Sequence, residues 1–253
     1  MASASAQAAQ PPPPAGPRPI THVLFDMDGL LLDTETLYTV AQSAVLAQYG
    51  HEFTREKKAQ MMGKTSVDAA AWLIASFDPP LPLSPAELLA QRDALLADLF
   101  PKAKIMPGAV KLVSHLRAVG LPAAVATSSH ARHFQLKTSP HASFFADFDH
   151  VVTGCQVTHG KPHPEIFLTA AGRWAAGAAA AAVDPARVLV FEDAPAGVLA
   201  ARAAGMAVVF VPDARHLPEV EREAAAKMAD LTISSLGEWV PEAWGLPPYN
   251  ASS

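Results

Sequence analysis

Two acids close a short apolar run near the start of the chain. In His22-Val23-Leu24-Phe25-Asp26-Met27-Asp28-Gly29, Asp26 and Asp28 follow at once on a stretch that reads as a buried strand. The carboxyl end of a strand is where open α/β sheets gather ligands and catalytic groups. The chain must leave extended geometry there, and Gly29 permits the turn, so the two carboxylates need not point the same way. One can then serve as nucleophile or metal ligand and the other as acid or base. An ordinary strand followed by an Asp/Gly turn has the same letters, so the pair needs partners elsewhere in the chain.

Three further sets occupy comparable places. Pro122 to Ala126 reads as a strand and ends in Thr127-Ser128-Ser129; Arg187 to Phe191 reads as a strand and ends in Glu192-Asp193; His159-Gly160-Lys161-Pro162 puts a lysine just before a helix. Each has a plain explanation on its own. Thr-Ser-Ser can cap a helix, acids are favoured at helix starts, and most lysines are solvated. Their joint occurrence, in this order and each at a strand end or helix entrance, is much harder to explain that way. If the strands are neighbours, all the sets meet at one edge of a sheet.

The elements that must position them can be read from periodicity. Glu35 to Tyr49 carries an apolar stripe of Leu37, Val40, Ala41, Ala44, Val45 and Tyr49 at helical spacing, with Gly50 as a stop. Further helices are expected over Val67 to Ser76 and Pro85 to Phe100, the second opened by a capping Ser84 and Pro85. From Pro107 an α/β rhythm begins. Helices are expected over Ala109 to Val119, Arg132 to Lys137, Glu165 to Ala182, Pro195 to Ala204 and Pro218 to Met228. Strands are expected within Asp149 to Thr153, over Ala207 to Val211, and at a short edge, Leu231 to Ile233. Helices between strands imply right-handed crossovers and a mostly parallel sheet. The expected class is α/β, with order 3-2-1-4-5, the Asp26 strand central, and Thr127 and Asp193 flanking it. The expected organisation is a disordered Ala/Pro-rich tail (1–20), a core (21–34 and 104–240), an inserted all-helical cap over the site (35–103) and a C-terminal tail (241–253).

Composition narrows the function. The chain has 253 residues, 50% hydrophobic and 17% charged, with a net charge of −5. That suits a globular protein and argues against a polyanion-binding surface, so no nucleic-acid partner is expected. A small anionic substrate remains compatible, because one metal ion and one lysine can reverse a local field. No apolar run approaches the ~20 residues needed to span a bilayer, so no membrane partner is expected. The single cysteine, Cys155, rules out an intrachain disulfide and fits a reducing compartment. A cytoplasmic monomer is the expectation. The acid-free, Ser/Ala-rich start, with Arg18 its only basic residue, leaves organellar targeting open.

With Asp26-Met27-Asp28-Gly29, Thr127, Lys161-Pro162-x-Pro164 and Glu192-Asp193 in hand, the sequence resembles the haloacid dehalogenase superfamily, in its phosphatase branch, over roughly Thr21 to Leu236. F-D-M-D-G-L-L-L-D-T-E, A-T-S-S, H-G-K-P and V-F-E-D-A-P-A-G look like the pseudouridine-5′-phosphatase and glycerol-3-phosphatase group; R-H-F-Q-L-K-T at Arg132 to Thr138 looks closer to plant-type members. His163 is a departure, since many relatives carry Asp there.

The resemblance implies a Mg²⁺-dependent hydrolase of a small phosphate monoester. Asp26 would be the nucleophile, forming an aspartyl-phosphate, and Asp28 the acid/base. Mg²⁺ would bind Asp26, the Asp28 carbonyl and Asp193, with Glu192 acting directly or through a water. Thr127, Ser128 and nearby backbone N–H groups would hold phosphoryl oxygens, and Lys161 would balance the acids and touch the phosphate. The helical insertion would shut out water and select the leaving group, with Gly63 and Lys64 of Met62-Gly63-Lys64-Thr65 reaching toward the substrate; a helix end with an exposed lysine fits those letters equally well. Pseudouridine 5′-phosphate and glycerol 3-phosphate are the leading substrates, the first slightly favoured. The alternatives are a sugar-phosphate mutase resembling β-phosphoglucomutase and a non-catalytic binding protein on the same scaffold. His130, Arg132 and His133 read as surface decoration, and Trp72, Trp174, Trp239 and Trp244 as packing residues.

Overall fold

The computed structural model describes residues 19–61, 65–175 and 182–249. Strand β1, His22–Phe25, is the centre of the molecule. Val23, Leu24 and Phe25 are all fully buried, as a strand covered on both faces requires. Four helices follow: α1 (Glu35–Ala47), α2 (Arg55–Met61), α3 (Ser66–Ala75) and α4 (Pro85–Leu99). The chain then alternates through α5 (Ala109–Ala118), β2 (Ala123–Thr127), α6 (Ala131–Thr138), α7 (Ala142–Phe145), β3 (His150–Thr153), α8 (Glu165–Trp174), β4 (Val188–Glu192), α9 (Pro195–Ala203), β5 (Ala207–Phe210), α10 (Glu219–Ala226) and β6 (Leu231–Thr232).

The six strands form one parallel sheet in the order β3-β2-β1-β4-β5-β6. This contains the expected order and adds the short edge strand beyond it. Register decides where the chemistry falls. Phe25 lies opposite Val125 on one side and Phe191 on the other. Asp26 is therefore level with Ala126 and Glu192, one step short of Thr127 and Asp193.

Alternation along the strands feeds two cores. Val23 and Phe25 join a cluster with α5 and the C-terminal segment, where Phe25 stacks on Phe191 at 5.0 Å and Trp239 meets Phe191 edge-on at 5.4 Å. Leu24 faces the opposite cluster, built on Ile166, Phe167 and Ala170 of α8 and Val198, Ala200 and Ala201 of α9. The four helices after β1 carry a core of their own around Val45, Leu46, Leu73 and Leu88. The capping serine expected at Ser84 is present and forms a full capping box: Glu87 N–H donates to Ser84 Oγ at 3.2 Å and Ser84 N–H to Glu87 Oε2 at 2.7 Å. The chain crosses between the helices and the sheet twice, side by side; Asp33 N–H donates to the Lys104 carbonyl and Met106 N–H to the Leu31 carbonyl, both at 2.9 Å.

Three expectations differ from the structure. Helix α2 has no buried residue, so its R-E-K-K-A-Q-M sequence offers no apolar stripe to read. Helix α8 ends at Trp174 rather than at Ala182, and 176–181 lie outside the described residues. The expected tail beyond 240 packs back on the molecule as far as it is described, to Tyr249: Pro241–Trp244 is a 3-10 turn, Trp244 is 5% exposed, and Leu246 and Tyr249 lie against the core cluster. Trp244→Ala should therefore cost ~3 kcal/mol of unfolding free energy in denaturant titration, as for a buried tryptophan. A change within ~0.5 kcal/mol, typical of surface positions, would return the segment to the status of a tail.

Candidate active site

Asp26 leaves β1 as its last hydrogen-bonded residue: its N–H donates to the Phe191 carbonyl at 3.0 Å, and the residue is 7% exposed. The Met27 carbonyl accepts from the N–H groups of Leu31 and Leu32, folding the chain back under the site. Gly29 makes the turn at φ +79°, and a Cβ there would run into Asp193 Oδ2. Only glycine lets the β1 turn lie this close to the end of β4.

At that end Glu192 is 1% exposed and has both oxygens occupied. Oε2 accepts the N–H groups of Asp193 (3.0 Å) and Ala194 (3.1 Å), and Oε1 accepts Lys161 Nζ at 2.6 Å. Gly197 on α9 leaves room for it, since a Cβ there would overlap the Glu192 carboxylate. Lys161 comes from the loop before α8. Its Nζ donates to Asp26 Oδ1 (2.6 Å), Glu192 Oε1 (2.6 Å) and the Ala126 carbonyl (3.1 Å), which uses all three ammonium protons.

On the other flank, Thr127 Oγ accepts the Ser129 N–H at 3.1 Å and donates to Asp28 Oδ2 at 3.4 Å. Ser129 Oγ donates to the same oxygen at 2.6 Å, and Thr34 Oγ donates to Asp28 Oδ1 at 2.7 Å. The remaining partner of Asp28 was not anticipated from the sequence. Lys137 of α6 donates to Oδ1 at 2.6 Å and is completely buried. A signal for it exists: Lys137 lies three residues after Phe134 and beside buried Thr138, on the inner face of a short helix. A lysine on that face needs a buried acid.

Among the described residues, four carboxylates thus share two ammonium groups. Asp26 is pushed up to about 7, first by burial and then by the charges of Glu192 and Asp28, against the pull of Lys161. Asp193 is raised well above the usual carboxylate range, by burial and then by Glu192 and Asp26. Burial opposes ionisation of Asp28 too, but the charge and hydrogen bond of Lys137, with those of Ser129 and Thr34, hold its carboxyl below the usual range. Carboxylate oxygens of Asp26, Glu192 and Asp193 lie within 4.8 Å of one another. This all-oxygen set is short of positive charge at Asp193, and it suits a hard divalent cation of the Mg²⁺ or Ca²⁺ kind.

A cavity of about 580 Å³ opens beside Asp28, between the sheet edge and the inserted helices. Ser128, His130 and His133 line it from one side, and Glu35, Gln42, Lys58 and Arg92 from the other. Lys58 pairs with Glu35 at 3.1 Å and contacts His216 Nδ1 at 2.9 Å, linking α2 to the segment after β5. The Gln42 side chain is buried and its Nε2 has no partner among the described residues. His130 and His133 are therefore cavity residues, whereas Arg132 stays exposed as expected. The expected contacts from Gly63 and Lys64 lie outside the described residues.

The family model of haloacid dehalogenase-like hydrolases matches residues 20–205. The chain belongs to that family. It is 45% identical to (DL)-glycerol-3-phosphatase 2 of Arabidopsis thaliana, over 94% of this chain and 97% of the relative. It is 43% identical to a probable pseudouridine-5′-phosphatase of Drosophila melanogaster, over 92% of this chain and 96% of the relative. Among solved structures, a HAD family hydrolase from Deinococcus radiodurans with bound phosphate and sodium superposes with a TM-score of 0.73 at 26% identity, over 91% of this chain and 99% of that one. A putative β-phosphoglucomutase from Thermotoga maritima gives 0.69 at 28% identity, over 87% and 96%. This member of the family is a phosphatase, a hydrolase of phosphate monoesters.

In this hydrolase Gly197→Ala must displace the Glu192 carboxylate and with it the lysine that Glu192 holds. The expected result is a loss of kcat/KM of ~10²-fold, the usual consequence of a shift of about an ångström in a site, with the circular dichroism spectrum unchanged. Wild-type kcat/KM would mean that the placement of Glu192 is immaterial.

Proposed function

We propose that this phosphatase hydrolyses a small phosphate monoester, pseudouridine 5′-phosphate or glycerol 3-phosphate, in two steps through an aspartyl-phosphate on Asp26. One observation supports this most: Asp26 is held by Lys161 at the mouth of the sheet edge, with Asp28 two residues on and in a separate hydrogen-bonding environment. In the first step an Asp26 oxygen attacks phosphorus, the bond from phosphorus to the ester oxygen breaks, and Asp28 gives that oxygen a proton. In the second, water attacks phosphorus, gives a proton to Asp28, and the bond to Asp26 breaks, releasing phosphate. Asp28 is ionised in the resting site, as the second step needs. The dianionic ester entering beside it favours protonation for the first step, as a like charge does. Thr127, Ser128 and Lys161 hold the phosphoryl oxygens, and residues 35–103 act as a cap over a core of 21–34 and 104–240.

Asp26 and Asp193 would hold Mg²⁺ with the Asp28 carbonyl, Glu192 acting directly or through a water. When bound, the ion neutralises charge on the transferring phosphoryl group. The cavity is within the range of pockets for small molecules, and Glu35, Gln42, Lys58 and Arg92 offer polar partners for the hydroxyls of a polyol or a ribose. Tyr38 and His133 also line it and offer ring faces to a base, which keeps pseudouridine 5′-phosphate slightly ahead. A non-catalytic binding protein would have no use for two acids in such different settings.

Two measurements test this reading. The first compares kcat/KM for the two compounds without any bisphosphate activator. Glycerol 3-phosphate ahead by more than tenfold would reverse the preference, and a strict bisphosphate requirement would favour a mutase. The second follows thermal stability with pH. Asp26 rises from 3.8 to about 7 on folding, so between those values Asp26 holds its proton more in the metal-free fold than in the unfolded chain, and its contribution to stability falls as pH rises. Mg²⁺ needs the ionised acids, so the Tm increase produced by millimolar Mg²⁺ should be small at pH 5.5 and larger at pH 8. An increase that is absent, or equal at both, would contradict the metal assignment.

A further inference from the structure

The two steps above make no use of Lys137, the second buried ammonium of the site. Lysine is among the residues most rarely buried in full, and its long side chain loses much rotational freedom when fixed. Lys137 is fixed at every donor position. Nζ donates to Asp28 Oδ1 at 2.6 Å, to Ser129 Oγ at 2.8 Å and to the Tyr38 hydroxyl at 3.4 Å, and the Phe100 ring lies 4.4 Å away. It does not line the cavity, whereas Asp28 and Ser129 do. With no exposed surface at all, Lys137 offers nothing for a bound ester to touch.

Charge neutralisation alone would need only the first of these bonds. The second changes the picture. Ser129 Oγ accepts from Lys137 and donates to Asp28 Oδ2 at 2.6 Å. Lys137 thus grips the carboxylate at both oxygens, directly at Oδ1 and through Ser129 at Oδ2. Thr34, just before α1, adds a third hold at Oδ1. A carboxylate so held has its plane and its side-chain torsions set, and proton transfer depends on that placement.

We propose that Lys137 is a positioning residue for proton transfer: through its direct bond and through Ser129 it orients the Asp28 carboxylate toward the leaving oxygen and the attacking water. This rests on the acid/base reading of Asp28. The step in which Asp26 attacks an ester whose leaving group needs no proton should then be indifferent to Lys137. The steps that move a proton should depend on it.

Rapid mixing of the Mg²⁺-loaded protein with 2,4-dinitrophenyl phosphate separates the two. Dinitrophenolate leaves unprotonated and reports attack by Asp26; the later steady state reports attack by water. For Lys137→Met the expectation is a burst of one dinitrophenolate per active site at close to the wild-type rate, followed by turnover slowed about 10²-fold, within the range of general acid–base effects. With glycerol 3-phosphate or pseudouridine 5′-phosphate, whichever wild type hydrolyses, kcat should fall by a similar factor while KM moves by less than about threefold. Ser129→Ala removes only the second grip and should show the same split with a smaller loss, so it carries the test if Lys137→Met does not fold. Burst and turnover falling together in the folded variants, or turnover unchanged, would overturn the proposal. Asp28→Asn is the reference. If it shows the split and the other two do not, only the role of Lys137 fails. If Asp28→Asn lacks the split, the acid/base reading fails and takes the proposal with it.

Discussion

Like charges crowded together are the constraint that this structure is built around. Asp26, Asp28, Glu192 and Asp193 converge on one edge of the sheet, three of them almost wholly out of water or tied into buried bonds. Acids this close cannot all ionise unless cations are placed among them. Lys161 answers for Asp26 and Glu192, and Lys137 answers for Asp28. Asp193 is left with a strongly raised pKa and, among the described residues, no lysine bonded to it, and that deficit is what a divalent ion would fill.

The architecture supplies each counter-charge from a different element. The register of β1 between β2 and β4 brings Asp26 level with the ends of both neighbours, so no long side chain has to reach across the sheet. The loop before α8 carries Lys161 under the edge, and α6 carries Lys137 in from the other flank. Space is as tightly controlled as charge. Gly29 and Gly197 are placed where a single methyl group would collide with Asp193 and Glu192 respectively. The inserted helices close the remaining side with a cavity whose polar lining comes mainly from α1, α2 and α4.

Much of this was legible in the sequence because it follows short-range rules. β1 and β4 are buried on both faces, so they appear as unbroken apolar runs, and Asp26 and Glu192-Asp193 stand out where those runs stop. Lys161 is marked by the loop and helix start around it. Lys137 was not legible in this way. Helix α6 has only eight residues, too few for a clear stripe, and its inner-face lysine looks like any surface lysine until Asp28 is seen opposite. His130 and His133 were misread for a related reason: they follow the Thr127 turn and gain their role from helices far away in sequence. Trp244 reads as a packing residue, but the packing of 241–249 as a whole was not legible, because it depends on a long-range contact with the core. Short-range pattern locates acids at strand ends; it does not locate the cations that make them tolerable.

The central claim is that Asp26, and no other carboxylate of the cluster, carries the phosphoryl group between the two steps. Quenching the enzyme during turnover, reducing with borohydride and sequencing the peptides by mass spectrometry tests it directly, since an acyl phosphate is reduced to an alcohol where a free carboxylate is not. The account predicts homoserine at position 26 and unmodified aspartate at positions 28 and 193. Homoserine at either of those positions, or none anywhere in an enzyme caught in active turnover, would contradict it.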